Sequence, residues 1–329
     1  MKSKISQLIF TILAIVLAAV FIGLTIEQTD FEVLKSAAKR ANYFWFFASM
    51  VLSIFTYWLR AARWKLLLEP IGYKVETKTG FWAISFAYFM NLTIPRSGEV
   101  ARATSFYKME KVPVNKSFGT IVLERVIDLI FLGLFFGVTL ILNAEMLYSF
   151  FSFGDKPSFK SFKLPLFGLG VILLLFLLLR KKLKTFSIYL VIENFMKGIW
   201  IGFLSILHLE ERAKFIAYSV AIWTCYFFMT YLVIFAFPET SHFGLDEGFF
   251  LIVAGALGMI LPAVGGLGYP YVMSIAFAAI FLSQGDTAEE GRMVGSYFGL
   301  MLYFAQVISI LIFGFLSFYF IPTLSRKKE

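Results

Sequence analysis

Charged residues cluster at a break in one apolar segment of this chain. The stretch 91–102 reads NLTIPRSGEVAR, in which Pro95 and Gly98 interrupt the apolar run and three charges follow at a spacing of three: Arg96, Glu99 and Arg102. A helix that resumes after the proline would place these charges along one side, where each arginine can neighbour the glutamate. The unpaired backbone N–H groups at its start would add an anion site, so the stretch is predicted to hold a lipid phosphate. The alternative is a cytoplasmic loop with ordinary surface charges.

A second group of charges interrupts the apolar segment 118–142, in the sequence TIVLERVIDLIFLG. If that helix begins near Phe118, Glu124 lies roughly 9 Å along it at 1.5 Å per residue. Each such charge costs on the order of 2.5–3.5 kcal/mol at the bilayer centre, so each is expected to face a partner or a water-filled cavity. Glu124 and Asp128 share a helix face, and Arg125 can reach Asp128 at the i, i+3 spacing. The alternative is a structural ion pair that joins this helix to another.

Two further segments combine residue types that could belong to a membrane-protein site. The sequence PAVGGLGYP contains five turn-forming or helix-breaking residues: Pro262, Gly265, Gly266, Gly268 and Pro270. Because glycine permits tight turns and proline ends helices, a hairpin tip is predicted, with a plain flexible turn as the alternative. The sequence TYWLRAARWKLLLEPIG carries Arg60, Arg63 and Trp64 at the predicted inner end of a crossing. A basic and aromatic belt is expected there in any membrane protein.

The elements that must position these residues are apolar helices. Hydrophobic residues make up 59% of the 329 residues and charged residues 16%, against roughly 25% charged residues in soluble domains. Ten apolar segments follow one another along the chain, at about 5–26, 43–59, 79–95, 118–142, 164–179, 187–207, 215–237, 248–262, 270–283 and 294–321. Segments of about 20 residues can cross the hydrocarbon core as helices. We therefore predict an all-α polytopic membrane protein, with residues 1–329 in a single integral domain.

The rare residue types disfavour other classes of function. A single cysteine, Cys225, excludes an intrachain disulfide, and His208 and His242 lie too far apart in the sequence to predict a joint metal site. No cofactor motif is found. The net charge of +9 comes from short basic clusters between apolar runs, so no nucleic-acid partner is expected. The basic start MKSK precedes an apolar run too long for a cleaved signal peptide, and 5–26 is predicted to be the first transmembrane helix.

The distribution of Lys and Arg predicts the path through the membrane, because positive charge is retained on the cytoplasmic side. Residues 60–78 and 96–116 each contain five basic residues, so the apolar segment between them should enter and leave on one face. A re-entrant hairpin is therefore predicted at about 79–112. The mostly acidic flanks PETSHFGLDE and QGDTAEEGRM predict a second hairpin at about 248–283, which enters from the opposite face.

With these hairpins, the remaining full crossings number about six: 5–26, 43–59, 118–142, 164–179, 215–237 and 294–321. Both termini are then cytoplasmic, and the expected location is the inner (plasma) membrane. The segment at about 187–207 is predicted to be an amphipathic helix on the cytoplasmic surface. Hairpins that enter from opposite faces are typical of transporters built from inverted repeats, although no internal sequence repeat is evident.

Four motifs occur in the order RAARW, NLTIPRSGEVAR, ERVIDL and PAVGGLG. Together they resemble the lysylphosphatidylglycerol synthase transmembrane family, the flippase-like membrane half of the multiple peptide resistance factor. The resemblance extends from about Ser53 to Phe320 and implies a lipid-translocase fold with two re-entrant elements. It places the following residues at the family's signature positions: Arg63, Asn91, Pro95, Arg96, Gly98, Glu99, Glu124, Arg125, Asp128, Gly265, Gly266 and Gly268.

This sequence departs from the family pattern in two places. Val264 precedes the glycine pair where a proline is common, and Tyr271 stands where many members have a glutamate. Because that acid could contact a cationic headgroup, its absence argues against aminoacylated phosphatidylglycerol as the substrate. The chain also has no soluble aminoacyl-transferase domain, so it is not expected to synthesise such a lipid by itself.

The leading hypothesis is a lipid translocase, or a headgroup-binding transporter, for a phosphate-containing membrane lipid. Its candidate headgroup contacts are Asn91, Arg96, Glu99, Arg102, Glu124, Arg125 and Asp128. The arginines would neutralise a phosphate, and the acids would hold the arginines or bind a positive headgroup group. Two alternatives stay open. One is an intramembrane enzyme that acts on a lipid or polyprenyl carrier, with Glu124 or Asp128 as general base, and the other is a non-transporting scaffold for an envelope-biogenesis enzyme. A homo-oligomer is a further partner hypothesis.

Overall fold

The computed structural model describes residues 31–94, 97–153, 187–260 and 268–326, and within these ranges all regular secondary structure is helical. The α-helices are α1 (Phe31–Arg40), α2 (Tyr43–Leu68), α3 (Thr77–Thr93), α4 (Gly98–Glu110), α5 (Val114–Leu142), α6 (Ala144–Phe153), α7 (Ser187–Phe203), α8 (Arg212–Tyr231), α9 (Leu245–Ile260), α10 (Gly268–Gln284) and α11 (Ala288–Arg326). Short 3₁₀ helices occupy Glu69–Ile71, Leu204–His208 and Leu232–Ala236. The predicted all-α class is confirmed.

Four helical stretches in the described part of the chain are long and apolar enough to cross a membrane: Tyr43–Ile71, Val114–Leu142, Arg212–Ala236 and Ala288–Ser325. They coincide with four of the six predicted crossings. The other two, at 5–26 and 164–179, lie outside the described residues, so the total of about six crossings stays a prediction. The described spans nevertheless establish a polytopic membrane protein.

Local sequence explains where α2 begins and ends. The side chain of Asn42 accepts a hydrogen bond from the backbone N–H of Phe44 at 3.1 Å, which caps one of the free donors of the first turn. At the other end a 3₁₀ turn, Glu69–Ile71, leads into Gly72 at φ 90°. Glycine adopts this left-handed conformation without steric cost, so the chain can turn back toward α3.

α3 and α4 form a helical hairpin. The residues just outside its two open ends, Val75 and Val112, lie in one buried cluster with Leu68, the last residue of α2. At the tip, Glu99 in the first turn of α4 contacts Arg125. That arginine is eleven residues into α5, or about 16 Å along it. The hairpin therefore returns to the end of the bundle from which it started, and its placement in the bilayer stays a prediction.

α9 and α10 form a second helical hairpin. At its open end, Gln284 Nε2 donates to Glu247 Oε1 at 3.0 Å. Toward its tip the backbones approach closely, since a Cβ atom built on Gly258 would lie 3.0 Å from the carbonyl oxygen of Gly268. The hairpin packs along α11, where a Cβ on Gly295 would lie only 2.6 Å from the carbonyl oxygen of Met273. Small residues thus let three helices pack at backbone distance.

The predicted surface helix 187–207 corresponds to α7 and the following 3₁₀ turn. α7 packs against the first turns of α5, where Gly198 faces Asn115 and Gly119 faces Ile199 too closely to leave room for a Cβ atom. Away from this contact, α7 exposes apolar residues such as Met196 and Trp200. The structure therefore adds a close contact with α5 to the predicted helix, whose position at the membrane surface stays a prediction.

Candidate functional site

A buried ion pair joins the first hairpin to α5. Arg102 of α4 makes two contacts with the carboxylate of Glu124, at 2.5 Å from Nη1 to Oε2 and at 3.3 Å from Nη2 to Oε1. Both residues are buried. Because α5 begins at Val114 rather than near Phe118, Glu124 lies ten residues into the helix, about 15 Å from its start. The charge is therefore deeper along the helix than the predicted 9 Å.

Arg63 of α2 connects the same carboxylate to a second acid. Its Nη2 lies 2.9 Å from Asp128 Oδ1 and 3.9 Å from Glu124 Oε1. Its Nη1 donates to the hydroxyl of Ser219 on α8 at 3.3 Å. Arg63 is fully buried, and its side chain thereby holds α2, α5 and α8 together.

A third pair, between Arg125 and Glu99, lies closer to the surface of the protein. Arg125 Nη2 is 2.6 Å from Glu99 Oε1, and Arg125 Nη1 is 3.7 Å from Asp128 Oδ2. The two side chains of the main pair are 49% and 28% exposed, respectively. The predicted i, i+3 contact between Arg125 and Asp128 is present. Glu99, which was expected to pair with the arginines of its own helix, instead pairs across to α5.

The indole ring of Trp64 packs against the guanidinium of Arg102. Its indole Nε1 donates to the hydroxyl of Thr120 at 2.8 Å, and the Arg102 guanidinium carbon lies 3.8 Å from the centre of the ring. A cation over an indole face is attracted by the negative face of the ring. Trp64 therefore orients the arginine that holds Glu124.

Arg60 differs from Arg63, Arg102 and Arg125 because no carboxylate lies within ion-pair distance of it in the described residues. Its side chain is buried, with the residue 4% exposed, and its Nη1 donates to the hydroxyl of Tyr88. Among the described residues no carboxylate lies within 4.0 Å of it, and its Nε has no hydrogen-bond partner. Tyr57 stacks on Tyr88 with ring centres 4.6 Å apart. A buried guanidinium without a direct ion-pair contact is costly.

We call these residues the arginine cluster: Arg60, Arg63, Arg102, Arg125, Glu99, Glu124 and Asp128. Four guanidinium groups face three carboxylates, and each carboxylate already contacts at least one arginine. The cluster therefore carries one formal positive charge in excess. Sequence reasoning assigned Arg60 to an interfacial belt. Its spacing of three from Arg63, which places both on one helix face, is the signal that could have identified it.

Asn91 closes the tip of the first hairpin in the structure. Its Oδ1 accepts the backbone N–H of Gly98 at 2.7 Å. A Cβ on Gly98 would lie 2.5 Å from the carbonyl oxygen of Ala87, so the approach of the two helices requires glycine. One of the predicted anion-binding N–H groups is thus already satisfied, and a contact between Asn91 and a headgroup stays a prediction.

Several predicted site residues lie outside the described residues: Pro95, Arg96, Pro262, Gly265 and Gly266. Gly268, by contrast, is described and begins α10, where it contacts α9 near Gly258. Within the described ranges no three His, Cys, Asp or Glu side chains are grouped so that they could hold a metal ion.

The fold and the cluster define a class: a polytopic helical membrane protein with a buried, partly unpaired arginine site beside a helical hairpin. Residues 11–314 match the family described as the lysylphosphatidylglycerol synthase TM region, and the chain belongs to this family. It is also 30% identical over 131 residues to the UPF0104 membrane protein MJ1595 of Methanocaldococcus jannaschii. The aligned segment is 39% of this chain and 38% of that protein. No solved structure matches.

Proposed function

We propose that this protein is a lipid translocase that binds the phosphate of a lipid headgroup at the arginine cluster. Arg60 is the observation that carries the proposal. It is a buried cation for which the described residues provide a tyrosine hydroxyl but no carboxylate within ion-pair distance. Charged groups in a membrane protein are expected to be paired or to mark a substrate pathway. A phosphate would supply the missing negative charge.

The rest of the cluster provides a polar path for such a headgroup. Dragging a charged group through bare hydrocarbon is strongly disfavoured, so translocation requires fixed polar groups along the way. The half-exposed Arg125 and its partner Glu99 lie between the tip of the first hairpin and α5. We assign this pair to the entrance, and the buried Arg102, Arg63 and Arg60 to the path beyond it.

The proposed membrane is the inner (plasma) membrane, with both termini in the cytoplasm. The support is the excess of Lys and Arg in the segments 60–78 and 96–116, because such charge is retained on the cytoplasmic side. The chain contains no nucleotide-binding motif. Movement of the lipid is therefore proposed to be passive, ion-coupled or driven by later consumption of the lipid.

The experiment is reconstitution into sealed liposomes that contain fluorescent phospholipids or a fluorescent polyprenyl phosphate. The fraction of label accessible to an external quencher is followed over time. We expect the wild-type protein to move at least one phosphate-containing lipid, and the Arg60→Gln variant to move it at least about tenfold more slowly. Arg60→Gln should fold normally, because it removes a buried charge that has no acidic partner to strand.

Lys65→Gln is the matched control. It removes one positive charge from the same helix, but at a side chain that is 40% exposed and 3.6 Å from Glu69. Movement by this variant should equal that of the wild type. If the folded protein moves none of the lipids, the translocase proposal is wrong. Conversion of lipid in detergent would then support the enzyme, and copurification with an envelope enzyme would support the scaffold.

A further inference from the structure

The three carboxylates of the arginine cluster are all occupied by arginines. Glu124 is held by Arg102 at 2.5 Å, and Glu99 by Arg125 at 2.6 Å. Asp128 lies 2.9 Å from Arg63. An ammonium group that entered the cluster would have to displace an arginine from one of them. It would also come close to at least one guanidinium, and juxtaposed like charges repel each other.

The anionic part of a ligand, in contrast, would find N–H donors in the cluster that have no acceptor. Arg60 is more than nine-tenths buried, and its Nε is a donor without an acceptor among the described residues. The Nε groups of Arg63 and Arg102 are likewise buried and without an acceptor. Arginine presents several N–H donors in a planar fork that suits phosphate oxygens. The cluster thus has donors to offer to a phosphate but no free carboxylate for an amine.

We infer that Arg60, with the Tyr88 hydroxyl beside it, is the phosphate subsite for an anionic lipid whose headgroup carries no amine. The inference rests on the proposed lipid-binding function and narrows its substrate class. Lipids of the phosphatidylglycerol kind, and polyprenyl monophosphates, have this chemistry. Phosphatidylethanolamine and aminoacylated phosphatidylglycerol are disfavoured, because each brings an ammonium group into a cluster that already has an excess positive charge.

The test measures lipid binding separately from transport. The full-length protein in a neutral maltoside detergent is titrated with phosphatidylglycerol, phosphatidylethanolamine, lysyl-phosphatidylglycerol or inorganic phosphate, and bound lipid is counted by native mass spectrometry. We expect phosphatidylglycerol to bind at least about tenfold more tightly than either amine-bearing lipid. The Arg60→Gln variant should lose at least about tenfold in affinity for phosphatidylglycerol, and Lys65→Gln should lose nothing.

A gain-of-function variant makes the test independent of folding defects in buried positions. Arg125→Gln removes the main partner of Glu99, whose side chain is 28% exposed, and so frees one carboxylate at the entrance. We expect the preference for phosphatidylglycerol over phosphatidylethanolamine to fall by at least about fivefold in this variant, as expected when a repulsive element is removed. The thermal unfolding midpoint checks that the variant is folded.

Three results would overturn the inference. They are equal binding of phosphatidylglycerol and phosphatidylethanolamine, unchanged phosphatidylglycerol binding by folded Arg60→Gln, and full competition by inorganic phosphate at the concentration of the lipid. The last result would assign the subsite to free phosphate. Equal movement of both lipids in liposomes would retain the translocase but refute the selectivity. Selective binding without movement would retain the subsite and refute the translocase.

Discussion

The two helical hairpins of this protein both pack through apolar side chains, but ion pairs join only one of them to the rest of the bundle in the described residues. The α3–α4 hairpin packs on the rest of the bundle through apolar side chains such as Trp82 and Phe106. It adds ion pairs to this packing, since Arg102 and Glu99 both pair with residues of α5. The α9–α10 hairpin has no charged residue between Gly248 and Gln284. It packs through glycines and aromatic side chains, with Phe250 and Phe277 fully buried in the largest apolar cluster of the described residues.

The difference indicates which hairpin carries the chemistry. Charges inside a membrane protein are costly and are expected where a function requires them, whereas small residues at helix contacts serve packing. We therefore assign substrate binding to the α3–α4 hairpin and a supporting role to the α9–α10 hairpin. Disruption of the first hairpin should then depend on charge as well as on side-chain volume, and disruption of the second on volume alone.

The largest expected effect comes from Glu124→Ala. This change removes the carboxylate that pairs with Arg102 and that also lies near Arg63. Both arginines are buried. Removing one partner of a buried ion pair costs about 3–5 kcal/mol. We expect most of the variant to be unfolded in an SDS titration of the protein in mild detergent. Glu145→Ala, at an exposed position in the first turn of α6, is the control.

If Glu124→Ala retained wild-type stability, the network would not hold the first hairpin, and the contrast between the hairpins would fail. A second comparison sharpens this result. Glu124→Gln keeps the size of the side chain and removes only its charge. It should be nearly as destabilising as alanine, because the two buried arginines need the negative charge.

A smaller effect is expected from Gly295→Ala at the contact between α11 and α10. The new Cβ would lie 2.6 Å from the carbonyl oxygen of Met273, so the helices must move apart. Overpacking of this kind costs about 1–3 kcal/mol. The matched control is Gly133→Ala in α5, where no atom lies within 4 Å of the added Cβ. The control should be neutral or slightly stabilised, because alanine favours a helix more than glycine does.

The Gly295→Ala variant also gives a prediction for lipid selectivity. Folded Gly295→Ala protein should still prefer phosphatidylglycerol in the binding experiment, because the arginine cluster is unchanged. A loss of selectivity without unfolding would mean that the second hairpin contributes to the site, and the proposed division between the hairpins would have to be abandoned.

Much of the fold follows from the sequence because hydrocarbon imposes simple rules. Backbone groups must be satisfied within each helix, so apolar length and charge placement predict the crossings. Four predicted crossings coincide with described helices that are long and apolar enough to cross a membrane. The start of α5 was misplaced by four residues, at Phe118 rather than Val114. Its first turn contains Asn115 and Lys116, and a hydropathy pattern does not distinguish a polar helical turn from a loop.

Pairing across helices was harder to predict than the helices themselves. Local spacing correctly indicated the contact between Arg125 and Asp128, which share one helix. It failed for Arg102, which was expected to neighbour Glu99 but pairs with Glu124 on another helix. Burial strengthens an ion pair and exposure weakens it, so the buried partner prevails over the nearby one. Sequence spacing contains no information on which helices will be neighbours.

The smallest expected effect concerns the Glu99 and Arg125 pair, which we assigned to the entrance. In a double-mutant cycle of Glu99→Gln and Arg125→Gln, the coupling should be below about 1 kcal/mol, because a half-exposed pair is weakened by solvent. The cycle is measured by unfolding in mild detergent, with the Lys197 and Glu193 pair of α7, 2.9 Å apart and partly exposed, as the reference cycle. A coupling above about 3 kcal/mol would place the pair in a dry environment. The headgroup would then have to break a strong ion pair to enter, and the assignment of the Glu99 and Arg125 pair to the entrance would be wrong.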